Sequence, residues 1–134
     1  MKVTGIDHLG ILVADLEAAV RFYSETLGLT PGPIETRAEP PIRRCCLRVG
    51  DTDLELIEAR DPRQTMARLL PHQAAGIYHV GLRVDDVDVA AAELRTRGVP
   101  LADEIREGGG MRIQYLHPDA AQGTMIELVT RKPR

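Results

Sequence analysis

With 134 residues, the chain can form one compact domain that buries about two thirds of its unfolded surface, so it needs no disulfide to fold. A hydrophobic content of 43%, 28% charged residues and a mean hydropathy of -0.17 exclude disorder and membrane insertion. The 17 basic and 20 acidic side chains are spread along the chain to a formal charge of -3, which leaves no basic stripe for a phosphate backbone and argues against a nucleic-acid partner.

The N-terminus reads MKVTGIDHLGILV, and Asp7 and His8 interrupt its apolar run as a signal peptide would not allow. A cytoplasmic protein with no membrane partner is expected. The same stretch is the first strand, and Asp15 follows as the N-cap of a helix. Leu16, Val20, Tyr23 and Leu27 fall at helical spacing on one face before Gly28 ends the helix. A strand over Ile42–Val49 comes next, then one carrying Glu55, joined by a turn rich in Gly and Asp. The adjacent Cys45 and Cys46 point to opposite faces of their strand, which disfavours a mutual disulfide and predicts two reduced thiols, one in the core.

Asp61-Pro62 reads as the start of a short connecting helix that runs through Leu70 and stops at Pro71. A strand beginning near Ile77 then leads to Asp86, the cap of a second helix. Its buried stripe is Val87, Ala90, Ala91 and Leu94, and Gly98-Val99-Pro100 stops it. Gly108-Gly109-Gly110 suggests a flexible loop before a strand over Met111–His117, and a final strand carries Glu127.

These elements repeat. Ile6, His8, Gly10, Val13 and Asp15 recur as Ile77, His79, Gly81, Val84 and Asp86, an offset of 71 positions. Thr52, Glu55 and Leu56 recur as Thr124, Glu127 and Leu128. The predicted fold class is α+β, with two βαβββ modules at about 4–59 and 76–131 in a single domain spanning 1–134.

A two-fold relation between the halves would bring His8, Glu55, His79 and Glu127 together. Two imidazoles and two carboxylates suit one divalent ion such as Co, Ni, Mn, Zn or Fe, whose charge the carboxylates balance. Strand alternation puts His8 on a face with Ile6 and Gly10, and Glu127 on a face with Met125 and Val129, where burial is expected. A buried carboxylate requires a partner, and an ion would satisfy two at once. His72 and His117 have no counterpart in the repeat and are left out of the expected ligand set.

Six segments carry a resemblance across nearly the whole chain: IDHLGILVADL from Ile6, FYSETLGL from Phe22, GDTDLELI from Gly50, HVGLRVDDV from His79, YLHP from Tyr115 and MIEL from Met125. In this order they resemble the vicinal oxygen chelate superfamily (glyoxalase, bleomycin resistance proteins and dioxygenases), and most closely its methylmalonyl-CoA epimerase family. The resemblance implies paired βαβββ modules in an open, barrel-like cup, a metal on the equivalents of His8, Glu55, His79 and Glu127, and a homodimer. It also implies a metal acting as a Lewis acid on an enolate, with Glu127 a candidate base that loosens from the ion.

Bacterial epimerases often carry a second glutamate on the strand before the one bearing Glu55, whereas this chain has Arg44 there. Alternation places Arg44, Cys46 and Arg48 on one face, which alignment with the family turns inward. An arginine is no base at neutral pH, but it clamps a substrate carboxylate or phosphate through paired hydrogen bonds. Arg44 and Cys46 are therefore the expected substrate-binding residues. The function expected is a metal-dependent isomerase, epimerase or lyase acting on a small molecule, such as an acyl-CoA or another carboxylate. The alternatives are a glyoxalase I-like lactoylglutathione lyase, a thiol transferase acting on an antibiotic, and a metal-free drug-binding protein. A ring-cleaving dioxygenase fits less well, because Glu55 fills the fourth ligand position.

Overall fold

The computed structural model describes residues 1–38, 41–59 and 75–132, so the connecting helix expected from Asp61 to Leu70, and His72, lie outside the described residues. The chain forms two compact units, His8–Tyr78 and Met1–Asp7 with His79–Arg134. Strand β1 (Val3–Leu12) passes from the second into the first.

In the unit His8–Tyr78, helix α1 (Leu16–Arg21) precedes β2 (Glu35–Arg37), β3 (Ile42–Val49) and β4 (Thr52–Ala59). The strand order is β2-β3-β4-β1, with β1 and β4 parallel and the other neighbours antiparallel. Alternation divides the apolar side chains between two faces. Cys45, Leu47 and Leu56 pack against Leu16 of α1, with Val20, Tyr23 and Leu29 around them. Leu12, Ile42 and Ile57 form a second cluster with Tyr78 on the other face.

The predicted helix departs from its pattern at one point. After Arg21 it widens into a π-helical turn, Phe22–Thr26, closed by a bond from the Leu27 amide to the Phe22 carbonyl five residues back. The extra residue in the turn rotates Leu27 out of the apolar stripe and leaves it 54% exposed. Leu29 packs against the core instead, beyond Gly28 at φ +75°.

The second unit contains β5 (Gly76–Val84) from His79 onward, α2 (Val87–Thr96), β6 (Leu101–Gly108), β7 (Met111–Leu116), a 3-10 turn (Pro118–Ala121) and β8 (Met125–Arg131). Its order is β5-β8-β7-β6, again with one parallel pair, β5 and β8. All four residues of the predicted α2 stripe are buried, and Val87, Ala90 and Leu94 meet Val84 and Leu128. The glycine run is no loose loop. Gly108 pairs with Met111, so Gly109 and Gly110, at φ +59° and +77°, close a two-residue hairpin turn that a side chain would strain.

Both helices begin in the same way. Asp15 accepts from the Ala18 amide at 3.0 Å and Asp86 from the Val89 amide at 3.1 Å. A strand side chain satisfies one more amide in each case: Glu58 Oε2 accepts from Leu16 N at 2.8 Å, and Thr130 Oγ1 from Val87 N at 3.0 Å. Arg43 of β3 pairs with Glu17 in the first turn of α1, and Arg112 of β7 grips Asp88 in the first turn of α2 at 2.7 Å through both Nε and Nη2. Hydrogen bonds from these arginines hold the Glu17 and Asp88 carboxyls below the usual carboxylate range.

The start of β1 is fixed to the second unit by a buried acid. Asp7 accepts from Arg131 Nε at 2.7 Å and Nη2 at 2.9 Å, and from Arg83 Nη2 at 3.3 Å. Replacing Asp7 with Asn leaves two guanidinium groups facing a neutral amide. Urea denaturation should show a loss of about 2–4 kcal/mol. Arg83→Ala, at a side chain 35% exposed, should cost about 1 kcal/mol or less. An Asp7→Asn variant as stable as the parent would show that the triad does not hold the strand.

Candidate functional site

Strand alternation determines which polar side chains are withdrawn from water. Along β8 the buried residues Met125, Glu127 and Val129 share a face, and on parallel β5 the register partner of Met125 is His79. His79 and Glu127 are both buried, with His79 Nε2 3.5 Å from Glu127 Oε2. Two donors bound to one tetrahedral ion at about 2.1 Å each lie about 3.4 Å apart, so this spacing fits a shared ligand position. Tyr115, the register partner of Glu127, sets its ring edge-on to His79 at a centroid distance of 6.2 Å.

The unit His8–Tyr78 contains the equivalent pair. His8 and Glu55 are buried on parallel neighbours β1 and β4, and a His8 ring nitrogen lies within 4.8 Å of a Glu55 carboxylate oxygen. Each unit thus offers one imidazole and one carboxylate, both out of water, at positions equivalent in the repeat. The donor chemistry fits an intermediate divalent ion.

Arg44 faces the same way as Glu55, as alternation predicts. Its Nη1 lies 2.8 Å from Glu55 Oε2, its Nε 3.3 Å from Glu35 Oε2, and its Nη2 3.5 Å from Cys46 Sγ. Arg48 lies further along the strand, exposed, and pairs with Asp53 at 3.2 Å. The sequence reading missed Glu35 because a three-residue edge strand has too short a pattern to place a side chain. It also missed Tyr115 as a neighbour of His79 and Glu127. The signal was present in the repeat, since Tyr115 stands opposite Glu127 as Cys46 stands opposite Glu55.

The two thiols are free. Cys45 belongs to the core, and burial pushes the Cys46 thiol up to about 11, against a lesser downward pull from Arg44. Cys46 is thus a neutral thiol and no nucleophile at physiological pH. His117, outside the repeat, caps the 3-10 turn by accepting from the Asp119 amide at 3.1 Å through Nδ1. Among the described residues, no helix is long and apolar enough to cross a membrane.

Comparison with known proteins adds to this geometry. Residues 7–115 match the family model of the glyoxalase/bleomycin resistance protein/dioxygenase superfamily. The chain is similar to the crystal structure of methylmalonyl-CoA epimerase from Mycobacterium tuberculosis, with 36% identity, a TM-score of 0.87, and coverage of 98% of this chain and 90% of that one. It is similar to a variant of Streptomyces coelicolor methylmalonyl-CoA epimerase in complex with 2-nitronate-propionyl-CoA, at 34% identity and a TM-score of 0.87 over 98% of this chain and all of the other. The mitochondrial methylmalonyl-CoA epimerase of Bos taurus is 29% identical over 92% of this chain and 72% of its own length. These likenesses give the chain the fold expected from its sequence.

The raised Cys46 pKa has a direct readout. In folded protein at pH 8, iodoacetamide should alkylate Cys46 at least about tenfold more slowly than in the unfolded chain, as mass spectrometry would show. Equal rates would mean that the Cys46 thiol is as solvated in the fold as in the unfolded chain.

Proposed function

Because the chain belongs to the glyoxalase/bleomycin resistance protein/dioxygenase superfamily, and within it to the methylmalonyl-CoA epimerases, we propose that it epimerises an acyl-CoA thioester that carries a second carboxylate, using one divalent ion. The observation that carries this reading is the pair of buried imidazole–carboxylate sets at equivalent positions, one with its donors 3.5 Å apart. In this reading His8, Glu55, His79 and Glu127 are the four ligands of that ion, and the whole chain works as a single domain. The active form is a homodimer in the cytoplasm.

A bound divalent ion supplies Lewis-acid stabilisation of the negative charge that develops on a thioester oxygen as the adjacent carbon loses its proton. The remaining work falls to the protein. Glu127 takes that proton through a carboxylate oxygen, and the return of a proton from solvent to the opposite face of the planar carbon completes the inversion. Tyr115 packs against His79 and limits the tilt of its imidazole. Arg44 pairs with the substrate's free carboxylate through its planar donors, and the neutral Cys46 thiol forms the wall beside it. The nature of the ion, among Co, Ni, Mn, Zn and Fe, follows from the mixed nitrogen and oxygen donor set only as a class.

The test is metal analysis combined with proton exchange. Protein stripped of metal and reloaded should bind about one equivalent and should wash deuterium into the α position of methylmalonyl-CoA, followed by NMR. Glu127→Gln should slow the exchange at least about a hundredfold, and His79→Ala should abolish stoichiometric binding. Less than about a tenth of an equivalent of metal bound would overturn the reading. Turnover of methylglyoxal with glutathione in place of exchange would reassign the site to lyase chemistry.

A further inference from the structure

Arg44 lies between two carboxylates of unlike exposure. Its own side chain is 11% exposed, that of Glu55 10%, and that of Glu35, on edge strand β2, 52%. Register explains the arrangement: Glu35 is the direct partner of Arg44 across β2 and β3, while Glu55, on β4, is the direct partner of Cys46 and so a diagonal neighbour of Arg44 on the same face. The stronger contact is the buried one, at 2.8 Å to Glu55 Oε2 against 3.3 Å to Glu35. The oxygen that Arg44 holds thus belongs to one of the four ligand residues assigned above. A guanidinium and a dication repel each other, and both draw on the Glu55 charge.

We propose that Arg44 couples cation binding to anion binding: it holds Glu55 while no cation is bound, and once Glu55 turns to a cation it offers the freed guanidinium edge to a carboxylate of the ligand. This rests on the metal reading of the preceding subsection and deepens it. The position equivalent to Arg44 in the other unit is Ile113, since Arg44 stands opposite Ile57 and Ile113 opposite Val129. The coupling is therefore built into one half of the repeat alone, and it marks the end of the site that takes the substrate's free carboxylate. By linkage the two affinities rise together: a carboxylate that neutralises Arg44 tightens the cation by the same factor as the cation tightens the carboxylate.

The experiment is calorimetric titration of the metal-stripped protein with cobalt, with malonate, and with each in the presence of the other. In the parent protein, cobalt should tighten malonate at least about fivefold, and malonate should tighten cobalt equally. Arg44→Gln should bind cobalt alone at least about fivefold more tightly than the parent, because the competing cation is gone, and should show no cobalt effect on malonate. Arg44→Lys keeps the charge but not the fork, so it should retain weak cobalt binding while losing most of its malonate affinity.

Glu35→Gln, at an exposed position, provides a test that does not depend on how the Arg44 variants fold. With the outer partner neutral, more of the Arg44 charge falls on Glu55, so cobalt should bind about two- to threefold more weakly, even at high salt where an exposed charge is screened. Unchanged cobalt affinity in Arg44→Gln, or cobalt and malonate that bind independently in the parent, would overturn the coupling while leaving the metal reading in place. A parent protein that binds no cobalt would overturn both.

Discussion

A carboxylate withdrawn from water must find a positive or hydrogen-bonding partner, and this chain buries Asp7, Glu55 and Glu127. Each is answered differently. Asp7 has two arginines and acts as a structural clamp on β1. Glu55 has Arg44, and Glu127 has an imidazole 3.5 Å away, a distance long for a hydrogen bond and suited to two ligands of one ion. A fold that only needed stability would gain more from apolar residues at Glu55 and Glu127. Retaining acids there, each beside a buried histidine in its own unit, is the observation on which the proposed metal site rests.

The duplication made much of this legible in advance. Matching His8 with His79 and Glu55 with Glu127 required only the sequence, because identical residues at a fixed offset imply equivalent places in the fold. The Asp15 and Asp86 caps and the α2 stripe were equally legible, since capping and helical period are local properties. What stayed hidden depends on partners far away in the chain. Glu17 with Arg43 and Asp88 with Arg112 form one repeated ion pair, yet no residue is identical except the arginine, so alignment by identity passes over it. The π-helical turn that exposes Leu27 arises from one inserted residue, which a strict helical period cannot register. Gly108-Gly109-Gly110 was read by composition as loose, whereas pairing on either side makes it the tightest hairpin connection available.

The two halves share a buried histidine and glutamate at equivalent positions and have diverged around them. Beside Glu55 stand Arg44 and Cys46, and beside Glu127 the equivalent places hold Ile113 and Tyr115. One half therefore surrounds its carboxylate with charge and a thiol, the other with apolar and aromatic surface. Such divergence leaves the two units chemically distinct around the same pair of residue types, so each glutamate meets its own kind of neighbour.

The strand side chains that cap the helices add a constraint of another kind. Glu58 lies three residues past Glu55 and Thr130 three past Glu127, and each satisfies the first amide of the helix packed on its strand. A strand that settled one residue out of step during folding would face its acid toward the helix and leave that amide bare in the same move. The helix ends thus act as proofreaders of strand alignment. Any chain that completes both caps has, by that fact alone, aimed both glutamates correctly.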